Sequence, residues 1–263
     1  MRAKEASDTL DVPITLHTSQ SVFEFDEMVQ RHGLTPIEWL EKIGFLGERT
    51  FLGHGIYISN MSWVQYRGND LQILANADAS VAHSPWVFAR RGIALESFPA
   101  YLEAGVNVTL GTDTAPQSMI EAMRLAAVLG KVTGRSAGRS TAGDVFNAAT
   151  VNAANLLGRP DLGRVQSGAK ADLLFWSLDS LFMAPVRDVI KNIVYSATPG
   201  DLWGVMVDGE LLVEDGVVRG LDEGAAIAAL QREADGMWRR IAQNDWRGRS
   251  ADEMSPQTYR AFD

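Results

Sequence analysis

Four short β-forming runs alternate with helical stretches, and each run ends in or near a residue that can bind a metal ion or a proton. The runs are VPITLH (12–17), FLGHGIYI (51–58), ASVAHSP (79–85) and NVTLGTD (107–113). Apolar residues at 22, 25, 28 and 29 predict a helix over 21–33 with a Gly33 stop. Thr35-Pro36-Ile37-Glu38 is a capping-box helix start. Further helices are expected over 70–77, over 94–105 with Pro99 as an irregularity, from Ser118 to 129, and over 141–157. Strands alternating with helices in this way indicate parallel βαβ units. His17, His54, His83 and Asp113 are separated by 37, 29 and 30 residues, about one such unit each. Parallel strands place their C-terminal ends on one side, so the four side chains are expected to converge on one rim.

The texture changes after Leu157. ADLLFW (171–176), IVYSA (193–197) and VMVDGELLVEDGVV (205–218) read as a small β-rich module, with a hairpin signal at Asp208-Gly209. Residues 225–243 read as one amphipathic helix, followed by a polar tail.

Composition narrows the chemistry. With no cysteine among 263 residues, disulfides, zinc–thiolate sites, iron–sulfur clusters and Cys nucleophiles are excluded. A formal net charge of -9 argues against nucleic acid as a partner. No apolar stretch approaches the ~20 residues of a spanning helix, so no membrane partner is expected. The first residues lack the apolar run and cleavage site of a signal peptide, and a soluble, cytoplasmic protein is expected. Four histidines exist. His32 sits before Gly33 at a helix end, where a cation favours the helix dipole, and is read as structural. For each of the others a satisfied structural histidine is the ordinary reading. Three in register with an aspartate shift the balance toward one shared site. Neutral imidazole with carboxylate suits a divalent metal, zinc first, with iron or manganese as alternatives. His17, His54 and Asp113 are the expected ligands. A bound metal lowers the pKa of water toward 7, and a strand-end Asp113 can accept its proton and deliver it to a leaving group. No glycine-rich phosphate loop occurs in a strand–helix context.

Taken together, these residues resemble the amidohydrolase superfamily, and within it the branch of cytosine, guanine and thioadenosine-type deaminases and triazine chlorohydrolases. TLHTSQS around His17 is similar to that family's fifth-strand segment, and FLGHGIYIS around His54 to its sixth. VAHSPWVFARRG around His83 is similar to its seventh, with a Pro and then loop residues. LGTDTAP around Asp113 is similar to its eighth. DLGRVQSGAKADLLFW and VMVDGELLVEDG resemble its sandwich signature. The resemblance covers about residues 8–220. It implies an α/β fold: a partial (β/α)₈ TIM barrel, about strands five to eight, plus a small β-sandwich module. It also implies metal binding by His17, His54 and Asp113. Asp113 would be the base toward metal-bound hydroxide, with His54 binding metal or polarising the substrate. The expected division is 1–159 barrel part, 160–220 β module, and 221–263 helix and tail. His83, Trp86 and Gln20 would face a small-molecule substrate.

Two departures bear on function. The family's His-x-His motif is absent, and strands one to four have no counterpart. The chain is therefore expected to be the C-terminal portion of a longer enzyme. The residue three after the fifth-strand histidine, usually Glu in the deaminases, is Gln20. An amide cannot shuttle a proton, and Glu24, one helical turn on, is expected to face the protein. This favours hydrolysis of an amide, amidine or similar C–N bond, with Asp113 as sole shuttle, over standard ring deamination. Three readings stand side by side. The first is a metal-dependent hydrolase of a non-peptide C–N bond in a small cyclic or heteroaromatic substrate. The second is a non-catalytic remnant that is inactive or works only with another chain. The third is a doubly wound α/β enzyme with structural histidines, which the missing glycine fingerprint disfavours. Exposed strand edges would promote aggregation or pairing, so poor solubility and self-association into a homo-oligomer are expected.

Overall fold

A computed structural model of the chain describes residues 2–96 and 98–259. A helix, α1 (Arg2–Leu10), leads into β1 (Ile14–Thr18); α2 (Val22–His32) and α3 (Pro36–Lys42) cross to β2 (Thr50–His54). The helix α4 (Asp70–Asn76) crosses to β3 (Ser80–His83), and α5 (Pro85–Ala89) with α6 (Phe98–Glu103) to β4 (Val108–Leu110). The four strands form one wholly parallel sheet in the order β1-β2-β3-β4. Parallel neighbours need long crossovers, and the helices supply them. The order contains no reversal, so this sheet lacks the switch point of a doubly wound fold.

Three helices follow: α7 (Met119–Thr133), α8 (Ala142–Ala149) and α9 (Val151–Leu156). Next come β5 (Leu173–Trp176), α10 (Val189–Tyr195), β6 (Leu202–Val207), β7 (Glu210–Glu214) and β8 (Val217–Val218). These four strands make a separate antiparallel sheet in sequence order. The chain continues through α11 (Glu223–Asn244) and α12 (Ala251–Met254). Among the described residues, no helix is long and apolar enough to cross a membrane.

Local signals placed the helix starts well. Ser21 caps α2, Gly33 ends it at φ 66°, and Thr35 with Glu38 forms the capping box of α3. Ser118 caps α7 by accepting from the Glu121 N–H. The core lies between the parallel sheet and its helices, around Phe25, Ile37, Leu52, Leu74, Val81, Phe98, Tyr101, Val108 and Val145. Burying each of these large side chains contributes roughly 1.5–3 kcal/mol before entropy is set against it. A polar staple crosses this core. The fully buried Asp70 accepts from Thr35 Oγ1 at 2.5 Å and from the Ser59 N–H at 2.7 Å. It ties the segment after β2 to α3 and α4. Burial raises its pKa, and the hydrogen bonds oppose that rise.

Several expectations are corrected. The strand expected over 51–58 stops at His54, where a positive φ breaks the extended run. Residues 85–89 after His83 are the helix α5, not loop. Pro99 sits in the first turn of α6 and introduces no irregularity, because its missing N–H is free there anyway. The helix expected over 141–157 is broken at Thr150. Gly163 packs against the Thr150 carbonyl, leaving no space for a side chain. IVYSA lies in and just after helix α10. Asp188 caps it, and Arg124 donates to the Val194 and Ala197 carbonyls at 3.2 and 2.6 Å. Ile193 and Val194 are buried, so tertiary packing overrides their β propensity.

Gly130, inside α7, lies against the Ser140 hydroxyl and Phe98. A methyl there collides with Ser140. Gly130→Ala should therefore lower stability by about 1–3 kcal/mol in thermal or urea unfolding, despite the better helix propensity of alanine. A raised Tm would contradict this packing.

Candidate metal centre

The site starts from the β1–β2 register. His17 pairs with Gly53, and Thr18 with His54. A Cβ on Gly53 would stand 3.2 Å from His17 Cδ2, so glycine leaves the space in which the His17 imidazole lies. The two imidazoles come together, with ring centroids 5.1 Å apart. His17 sits on the exposed face of β1, whereas His54 and His83 are buried.

The strand ends carry unusual backbone. Ser19 has φ 53°, His54 φ 99° and Asp113 φ 50°. Left-handed conformations in non-glycine residues cost roughly 1–3 kcal/mol each and cluster at functional sites. The surroundings hold them in place. Tyr101, fully buried, donates its hydroxyl to the Gly55 carbonyl at 2.7 Å, directly after His54. The Gly55, Ile56 and Tyr57 N–H groups donate back to the Thr18 and Ser19 carbonyls. Glu24 staples the turn after β1. Its carboxylate accepts from Thr18 Oγ1, the Ser19 N–H and the Gln20 N–H at 2.9, 2.8 and 2.9 Å. Glu24 thus faces the protein, as expected, and its acceptor capacity is used structurally.

At the centre stands His54. Both its ring nitrogens are buried without a hydrogen-bond partner, and Nε2 lies 3.8 Å from Asp113 Oδ2. Phe88 closes its other side at 4.7 Å between centroids. Burial lowers the His54 pKa; Asp113 pulls it back up, and His17 adds to the lowering. A neutral imidazole with two unsatisfied nitrogens, beside a carboxylate and a second imidazole, is a nitrogen–oxygen donor set of the kind divalent zinc accepts. Among the described residues, no three His, Asp or Glu side chains already stand as a coordination cluster. His17 and Asp113 flank His54 but are not drawn tightly around one point.

His83 is buried beside Phe98, and its Nδ1 is unpartnered. Trp86, half-buried in the first turn of α5, has an unpartnered, buried indole N–H. Gln20 is half-buried in the turn that Glu24 holds. His32 lies apart, stacked on Trp39 at 4.0 Å. The sequence reading missed Gly53, Tyr101 and the stapling role of Glu24. A glycine opposite a histidine in a paired strand was the available signal for the first; nothing local marked Tyr101.

Burial, helped by the nearby His54, lowers the His83 pKa from 6.5 to about 3. The unfolded chain then binds this proton and the folded chain does not. The stabilising effect of a neutral His83 is full above pH 6.5 and is lost as pH falls toward 3. The stability difference between the wild type and His83→Gln should therefore shrink by about 2 kcal/mol between about pH 7 and pH 5. A pH-independent difference would contradict a neutral buried imidazole.

Comparison with known proteins agrees with the geometry. The model of the amidohydrolase family matches residues 1–212. A 5-methylthioadenosine/S-adenosylhomocysteine deaminase of Natronomonas pharaonis is 33% identical over 237 residues, covering 89% of this chain and 52% of that protein. A 5'-deoxyadenosine deaminase of Methanothermobacter thermautotrophicus is 33% identical over 82% of this chain and 50% of its own length. The chain thus spans about half the length of the curated relatives it matches. Among solved structures, an adenosine deaminase from Xanthomonas campestris with bound zinc superposes with a TM-score of 0.80 at 24% identity, over 90% of this chain and 53% of that one. A mutant atrazine chlorohydrolase from Arthrobacter aurescens, complexed with zinc and atraton, gives 0.77 at 25%, over 87% and 50%. With a family model matched across most of its length and its histidines and aspartate at the strand ends, this chain belongs to the amidohydrolase family.

Proposed function

We propose that the chain carries a zinc-dependent centre that hydrolyses a non-peptide C–N bond in a small cyclic or heteroaromatic molecule. The carrying observation is His54, whose two buried, unpartnered nitrogens sit between His17 and Asp113. In this reading β1 to β4 are strands five to eight of a (β/α)₈ barrel, and β5 to β8 contribute to a composite sandwich. Residues 1–159, 160–220 and 221–263 are then the barrel part, the β module, and the terminal helix with its tail. β1 is an edge strand of the sheet, and in this reading the remaining barrel strands would pair along that edge.

His17, His54 and Asp113 would hold the metal, which when bound supplies Lewis-acid polarisation and an acidified water. Asp113 takes a proton from the attacking water and passes it to the departing nitrogen. The neutral His54 can ligate or hydrogen-bond the substrate without first losing a proton. His83, Trp86 and Gln20 are placed around the substrate, with the indole N–H and the amide as hydrogen-bond groups. The names of the deaminase relatives support an aminated heteroaromatic ring as substrate. Gln20 leaves Asp113 as the one proton carrier, which suits amide or amidine hydrolysis as well.

A second reading has its own support. His17 is exposed on β1, as it would be in a non-catalytic chain that is inactive or active only with another chain.

Zinc titration of the full chain with elemental analysis tests the metal centre. His17→Ala and Asp113→Ala should each weaken zinc binding on the order of 100-fold, while His32→Ala leaves it unchanged. Unchanged stoichiometry in both site variants would remove the metal centre. Gln20→Glu, measured with the barrel complete, should raise deamination of ring amines; no change would remove the proton-carrier argument.

A further inference from the structure

The helix α11 is 22 residues long, yet Gly236 is its one buried residue, and α12 is the element packed most closely on it. Helices in proteins owe most of their stability to an apolar face packed against something. Such a face exists here. Ile227, Leu230, Ala234, Met237 and Ile241 follow a 3-4-3-4 spacing, the a/d pattern of a coiled-coil seam. Ile227, Leu230 and Met237 are 61%, 72% and 53% exposed. Glu233 and Arg240 flank the seam, one residue before Ala234 and Ile241. Neither makes an ion pair or side-chain hydrogen bond among the described residues.

We propose that α11 is a self-association surface whose occupant is the antiparallel α11 of a second copy of this chain. The pattern selects this partner and direction. An antiparallel seam that places Ala234 opposite the second copy's Met237 also places Leu230 opposite its Ile241. Each small residue then meets a large one. The same register sets Glu233 against the second copy's Arg240, and by two-fold symmetry Arg240 against its Glu233. Two otherwise unpaired charges on one chain thus become two ion pairs across the interface. A parallel seam would stack Ala234 on Ala234 and set Glu233 beside Trp238, matching neither size nor charge. The contact is isologous and closes at two chains.

Sedimentation equilibrium of the full chain across a wide concentration range tests this. A monomer–dimer equilibrium is expected. Glu233→Arg and Arg240→Glu should each weaken dimerisation by about tenfold, since each replaces two attractions with two repulsions. The double reversal should restore it, because the pairs re-form with opposite sign. Leu230→Asp, at an exposed position, should abolish the dimer without unfolding the monomer. A chain that stays monomeric throughout overturns the proposal. So does association that ignores both charge reversals, as pairing through the β1 or β4 edge would.

Discussion

The site depends on one pairing, His17 against Gly53 across β1 and β2. The strand register decides which residue lies opposite the first histidine, and glycine there leaves room for its ring. One more residue along, the same register sets Thr18 against His54. The chain then turns sharply at φ 99° and is caught by Tyr101 from α6. A shift by one residue would turn His17 to the other side of the sheet. The helices, the Glu24 staple and the buried Asp70 all serve to keep that register and the turns that follow it.

Electrostatics then select the chemistry. Burial favours the neutral forms of His54 and His83, the form that a metal ligand requires. Unsatisfied nitrogens in a buried ring cost free energy, and at His54 a bound ligand would remove that cost. The carboxylates divide their work by environment. Glu24 is fully engaged by one hydroxyl and two backbone N–H groups. Asp113 remains half exposed beside His54.

Much of this was legible in the sequence because it follows from local rules. The spacing of His17, His54, His83 and Asp113 announced parallel units. Ser21, Thr35 and Ser118 announced helix starts. Asp208-Gly209 announced the hairpin. What was not legible depends on contacts distant in sequence. IVYSA has strand-forming residues, but burial against α7 and α8 makes it helix. A helix breaks at Thr150, where Gly163, well downstream, packs too close to the Thr150 carbonyl to carry a side chain. Residues 55–58 continue an apolar pattern that reads as strand, while the turn at His54 comes from the demands of the rim. Gly53 looked like an ordinary glycine until its partner across the sheet was known.

The central claim is that His17, His54 and Asp113 converge on one metal ion. Zinc K-edge X-ray absorption of the full chain, loaded with one equivalent of zinc, tests it most directly. The account predicts a first shell of nitrogen and oxygen, with the outer-shell scattering of two imidazoles, one of which disappears in His17→Ala. A shell of water oxygens alone, without imidazole scattering, would contradict it.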